Sequence, residues 1–139
     1  DTVFTAIDAF VAFVEAISLF VGEVGVMNIM LVTVKERTRE IGIRKSLGAT
    51  NGNIQFQFML EAVTLTLIGG VIGIALGFLL AGLVSGFITA GMQMEVVPIL
   101  STQNITIAFG VSTLVGIIFG VYPAGKAAKL DPIDALRYE

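Results

Sequence analysis

The segment Gly120-Val-Tyr-Pro-Ala-Gly-Lys126 has the spacing of a phosphate-binding loop, in which glycine amides cradle phosphates and the lysine reaches their oxygens. Ala127 stands where that loop needs a Ser or Thr hydroxyl, and an apolar run precedes it where a strand is needed, so we reject the assignment. The other residues placed for chemistry are two acids inside an apolar stretch, Glu15 and Glu23. Glu23 lies twelve residues before Lys35, about 18 Å along a helix and near the middle of a bilayer. A carboxylate there costs several kcal/mol unless it is protonated or paired. Three readings of Glu23 stand: a protonated carboxyl bonded to Asn28 or to a partner helix, a groove open to water, or a proton relay. Asp8 and Glu15, seven residues apart, share a helix face and fall toward the outer surface. The chain has no His and no Cys, which removes zinc hydrolases, cysteine nucleophiles, His-based proton transfer and disulfides. No Asp lies within a span to form a catalytic pair, so an intramembrane enzyme is a weak reading. Asn104-Ile-Thr106 fits the glycosylation pattern, a match too short to carry weight.

These residues sit in a chain of 139 that is 55% apolar and only 14% charged, where a soluble domain carries roughly 25% charge. No Asp, Glu, Lys or Arg occurs from Ala62 to Met94 or from Val96 to Gly125, and a spanning helix needs about 20 apolar residues. The pattern predicts an all-α membrane protein with three spans, over about 9–34, 62–88 and 105–123. Ser101 and Thr102 are candidate caps of the third span, with Pro123 and Gly125 as its stop signals. Residues 89–104, with Pro98, read as a short external loop, and 124–139 as a tail. All eight basic residues fall between the first two spans or after the third, and the other side carries only Asp1, Asp8 and Glu95. The positive-inside rule therefore places the 35–53 connection and the C-terminus in the cytoplasm. Asp1 follows no basic leader and is not Met, so the chain is expected to be the tail of a longer one.

Between the first two spans, residues 36–47 contain no proline, and Glu40 precedes Arg44 by four residues in the order that favours a helical ion pair. Ile43 and Leu47 add an apolar pair one turn apart. Gly48 is the expected stop, and Thr50 or Asn51 the cap of the next helix. The result is a short amphipathic helix at the membrane face, which on composition alone does no more than fix topology and touch lipid headgroups. In the second span Gly69, Gly73, Gly77, Ala81 and Ser85 recur every fourth residue, and Gly116 and Gly120 repeat the spacing in the third. Such ridges let helices approach closely in lipid, either among these three spans or between subunits.

The string Gly25-Val-Met-Asn-Ile-Met-Leu-Val-Thr-Val-Lys-Glu-Arg-Thr-Arg-Glu-Ile-Gly-Ile-Arg-Lys-Ser-Leu-Gly-Ala49 resembles the MacB/FtsX-like permeases of ABC transporters, most closely the MacB branch. The likeness continues in Gln57-Phe-Met-Leu-Glu-Ala62 and from Tyr122 to Glu139, and so covers nearly the whole chain. It implies a four-span permease of which these are the second to fourth spans, with a C-terminus that is complete or nearly so. It also implies that Glu36, Arg37, Thr38, Arg39, Glu40, Ile41, Gly42, Ile43 and Arg44 form a coupling helix seated on an ABC ATPase. ATP and magnesium would be bound by that ATPase and no cofactor by this segment. Two permease copies would form a homodimer in a bacterial inner membrane, with a periplasmic or cell-surface adaptor and no nucleic acid. The family pattern has glycine where Glu23 stands, which puts close dimer packing there in question. The function implied is efflux of a macrolide, antimicrobial peptide or toxin. The alternatives are a regulatory permease that relays ATPase motion to wall hydrolases, and a lipoprotein-release permease. An ion-driven carrier would need Glu23 to titrate in function.

Overall fold

The computed structural model describes residues 2–92, 97 and 101–137, and among these residues it is all helix and connection, with no strand. Five helices follow in order: α1 (Thr2–Glu36), α2 (Thr38–Ser46), α3 (Asn51–Met92), α4 (Thr102–Ala128) and α5 (Pro132–Leu136). Three of them, α1, α3 and α4, are long and apolar enough to cross a membrane. At 35 and 42 residues, α1 and α3 extend about 52 and 63 Å, well beyond a hydrocarbon core of about 30 Å.

The helices differ from the expected spans at their ends, and each difference has a local cause. Residues 51–61, which precede the expected second span, are the first turns of α3 itself. Pro123 does not end α4 but lies inside it, fully buried. A proline interrupts one rung of a helix ladder, but the burial of Ala124, Ala127 and Ala128 just beyond it holds the helix through to Ala128. The tail is accordingly shorter than 124–139 and contains a helix of its own. Residues 89–92 of the expected external loop belong to α3, and Pro98 and Glu95 lie outside the described residues.

The core is confined to the basic end of the bundle. Met30 and Val34 of α1, Ile41 of α2, Ile54, Phe58 and Ala62 of α3, and Ala124 and Ala127 of α4 form one buried cluster. Helices α3 and α4 are closest along a small-residue seam in antiparallel register. A Cβ on Gly120 would lie 2.9 Å from the Ala62 Cβ, and one on Gly116 would lie 2.6 Å from the Thr66 Oγ1. Each four-residue step along α3 is thus matched by four residues back along α4. The seam opens beyond Gly70, whose nearest neighbours are Phe109 and Ser112 at van der Waals distance. Helix α1 joins α4 through an edge-to-face contact of Phe20 with Phe119, ring centroids 5.3 Å apart.

The two glycine ridges have different fates. Gly116 and Gly120 are buried, whereas nothing lies within 4 Å of a Cβ placed on Gly69, Gly73 or Gly77. Packing of the Gly69, Gly73 and Gly77 ridge among the three spans is therefore corrected: Gly73 borders an open cleft between α1, α3 and α4, and Gly69 and Gly77 are exposed. We predict that Gly120→Leu lowers the unfolding free energy of the protein in detergent by about 1–3 kcal/mol through overpacking. Gly77→Leu should change it by less than about 0.5 kcal/mol. Thermal unfolding of both variants checks the contrast.

Candidate functional site

The expected coupling segment begins at the end of α1. Arg37 alone interrupts the helix between α1 and α2 (φ −96°, ψ 12°), so Glu36 belongs to α1 and α2 starts at Thr38. The Thr38 hydroxyl donates to the carbonyls of Val34 (3.0 Å) and Lys35 (2.8 Å), satisfying acceptors freed at the interruption. At its other end α2 closes through Gly48, whose φ of +99° puts it in the left-handed region glycine favours. The Gly48 amide donates to the Lys45 carbonyl and the Ala49 amide to the Arg44 carbonyl, both at 3.0 Å. That pair of bonds is a Schellman stop. Helix α3 then begins on Thr50, whose hydroxyl accepts from the Asn53 amide.

The nine residues from Glu36 to Arg44 divide into three sets. Arg37, Glu40 and Arg44 form an ion network on the base of α3. The Arg37 guanidinium donates to Glu40 through Nε (2.9 Å) and Nη2 (3.1 Å) and to Glu61 Oε1 through Nη1 (2.7 Å). It also lies over the buried Phe58 ring, 5.6 Å from its centroid. Arg44 donates both to Glu40 and to Gln57. Thr38, Ile41 and Gly42 are buried, turned toward the core or the tail. Glu36, Arg39 and Ile43 are exposed, and Leu47 continues their stripe with 84% of its surface open.

The charges of the network reinforce one another. Hydrogen bonds from Arg37 hold the Glu40 carboxyl below the usual carboxylate range, and Glu40 and Glu61 together raise the Arg37 pKa further. Half-exposed ion pairs contribute only about 0.2–1 kcal/mol each. The network's effect therefore lies chiefly in fixing the roll of α2, which decides which side chains face outward.

Glu23 lies on the inner face of α1 with Met30 and Val34, 4% exposed, and its Oε2 has no hydrogen-bond partner among the described residues. Asn28, expected as that partner, is exposed elsewhere on the helix, and the water-open groove does not fit a residue so deeply covered. Glu15 is among the residues lining a cleft of about 930 Å³ between α1, α3 and α4. The segment Gly120–Lys126 is interior α4 helix. Its backbone amides belong to the helix ladder, with Gly120 against Ala62, and cannot line a phosphate. Sequence reading placed Lys45 and Leu47 within the helix of 36–47 but missed Glu61 and Gln57 as members of this site. Glu61 had one available signal, as the lone charged residue between the basic run that ends at Lys45 and the uncharged stretch that begins at Ala62.

Residues 12–132 match the family described as FtsX-like permease C-terminal. The chain is 58% identical over 126 residues to the ABC transporter permease YknZ of Bacillus subtilis, covering 91% of this chain and 30% of that protein. It is 49% identical over 131 residues to the macrolide export ATP-binding/permease protein MacB of Bdellovibrio bacteriovorus, covering 92% of this chain and 19% of that protein. Against the probable syringafactin export ATP-binding/permease protein SyfD of Pseudomonas syringae it is 52% identical over 123 residues, 88% of this chain and 18% of that one. The chain thus spans less than a third of the length of each of these relatives.

Because the folded Glu40 pKa is depressed, the stability its ion pairs confer is complete above the unfolded carboxylate pKa of roughly 4.3 and is lost only as pH falls through the lower folded value. Amide exchange of residues 38–46 should therefore be flat from neutral pH down to mildly acidic pH, after correction for intrinsic rates, and rise below that range. In Arg37→Leu the same segment should exchange faster at neutral pH, because Glu40 and Glu61 lose their shared partner. Hydrogen-exchange mass spectrometry reads both.

Proposed function

The chain belongs to the FtsX-like permease family, and we propose that it is the part of a MacB-type ABC efflux transporter through which a cytoplasmic ATPase moves the membrane spans. One observation carries the reading. The Arg37 network and the core hold one side of α2, and the opposite side presents Glu36, Arg39, Ile43 and Leu47 with no partner from the described residues. A helix fixed this firmly, with two charges flanking an open apolar pair, suits docking into a groove on a protein. Covering a fully exposed Leu alone contributes about 1.5–3 kcal/mol.

The positive-inside distribution orients α2, α5 and the C-terminus to the cytoplasm of a bacterial inner membrane, where the ATPase supplies the ATP and magnesium site. A second permease copy would use the open ridge of Gly69, Gly73 and Gly77, and a periplasmic or cell-surface adaptor would receive the motion of α1. The names of the MacB and SyfD relatives, macrolide export and syringafactin export, favour a cargo passed outward over a regulatory role.

In the intact transporter, Arg39→Cys should crosslink to the ATPase in bacterial membranes, and excess free ATPase domain should abolish the crosslink. Leu47→Asp should lower export by about tenfold or more, given the burial it forfeits, while insertion and basal ATP hydrolysis persist. Absence of any crosslink, with a probe at residue 47 reporting lipid, would reduce α2 to a topology signal.

A further inference from the structure

The tail helix α5 has no obvious reason to exist. It comprises only five residues, far below the roughly 12–15 at which an isolated helix becomes marginal in water. Its start is well made: the Asp131 side chain accepts from the Ile133 amide at 2.8 Å, and Pro132 occupies the first turn. Capping cannot offset the nucleation cost of so short a helix. What α5 packs against is α2, through its single buried residue, Ala135.

Two contacts hold α2 to the tail, one to α5 and one to the end of α4 and the residues after it, and both come from the inner face of α2. The first is steric. A Cβ built on Gly42 would lie 2.8 Å from the Ala135 Cβ, with the Leu136 Cγ and the Pro132 carbonyl oxygen each at 3.5 Å. Only glycine admits α5 at this separation. The second is polar. The Lys45 ammonium, one turn on from Gly42, donates to the carbonyl of Leu130 at 2.7 Å and to that of Ala128. Ala128 is the last residue of α4, so Lys45 satisfies an acceptor left open at the helix end, where a cation is also favoured by the helix dipole. A residue of α2 is in this way bonded to the end of the third long helix.

We propose that α5 and Lys45 clamp α2 to the end of α4, with Gly42 and Lys45 as positioning residues, so that a displacement of α2 is delivered to α4 as well as to α1 and α3. This inference rests on the docking reading of α2 and deepens it. The chain connects α2 directly only to α1 and α3, and without the clamp α4 would follow only through packing along its length. With the clamp, all three long helices receive the motion at the same end of the bundle.

The test is a size exchange in the intact transporter. Gly42→Ala should lower export by about fivefold or more, the extra methyl forcing α5 away. The double variant Gly42→Ala/Ala135→Gly should recover export to within about twofold, because the remaining neighbours of the new methyl lie at ordinary contact distance. Lys45→Met should lower export similarly, and Lys45→Arg should retain most of it. The Arg39→Cys crosslink to the ATPase is measured in each variant. Normal export by Gly42→Ala, or failure of both Ala135→Gly and Lys45→Arg to preserve it, overturns the clamp while a persisting crosslink leaves the docking reading standing. Loss of the crosslink already in the otherwise native protein would overturn the docking reading itself. If Gly42→Ala does not accumulate in the membrane, the Lys45 pair decides.

Discussion

The arrangement of the basic end depends on how the charge of Arg37 is satisfied. A guanidinium presents five donors in a planar fork, and here the fork is shared between Glu40 one turn later and Glu61 on α3, with the Phe58 ring beneath it. A lysine could replace the charge but not the geometry, since a single ammonium cannot hold two carboxylates at these angles and also lie flat on a ring. The guanidinium thereby ties the interruption between α1 and α2 to the base of α3. Once that corner is set, the roll of α2 is set too. Ile41 goes to the core, Gly42 and Lys45 to the tail, and Arg39, Ile43 and Leu47 outward.

Packing is distributed unevenly along the bundle. Close approach of α3 and α4 requires small residues, and these run in register from Ala62 and Gly120 through Thr66 and Gly116 to Gly70 and Ser112, where the contact loosens. The cluster formed by Met30, Ile54, Phe58 and Ala124 lies at the same end. Toward the other end the helices show their apolar faces outward, as lipid permits, because lipid gives no driving force for apolar faces to pair. A structure of this kind is stiff where α2 enters and freer where the helices reach the far surface. In the proposed transporter that gradient suits a lever: the driven end must not yield, and the length of α1 carries its displacement outward.

Much of this was legible in the sequence wherever the signal is local. The Glu40–Arg44 pair, the Gly48 stop and the Thr50 cap are each decided within a few residues, and the structure has all three. Two of the three long helices follow from the uncharged runs, and the first from an apolar stretch interrupted by Glu15 and Glu23. What was not legible depends on partners far along the chain. Glu61 meets Arg37 across 24 positions, and Lys45 meets Leu130 across 85, which no periodicity within one helix can reveal. Pro123 misled because proline disfavours a helix locally, whereas its buried ring and the alanines after it are held by neighbouring helices. The ridge of Gly69, Gly73 and Gly77 shows the converse limit. Spacing shows that a face can be approached closely, but not which helix approaches it.

Glu23 belongs to the same argument about satisfaction, with the opposite outcome. Arg37 and Glu40 lie at the edge of the core, where each finds partners and keeps some contact with water. Glu23 lies about two thirds of the way along α1 on its buried face, between the Phe20 contact and Met30, and its Oε2 meets no donor among the described residues. A group in that position contributes no cohesion to the basic end, and substituting glycine there would remove an unmet acceptor and bring α1 closer to whatever packs on it. The apolar cluster of Met30, Ile54, Phe58 and Ala124 holds the basic end together, and the Arg37 pairs set the orientation of α2 upon it. The acid within the apolar stretch is retained at a cost that the surrounding packing must offset.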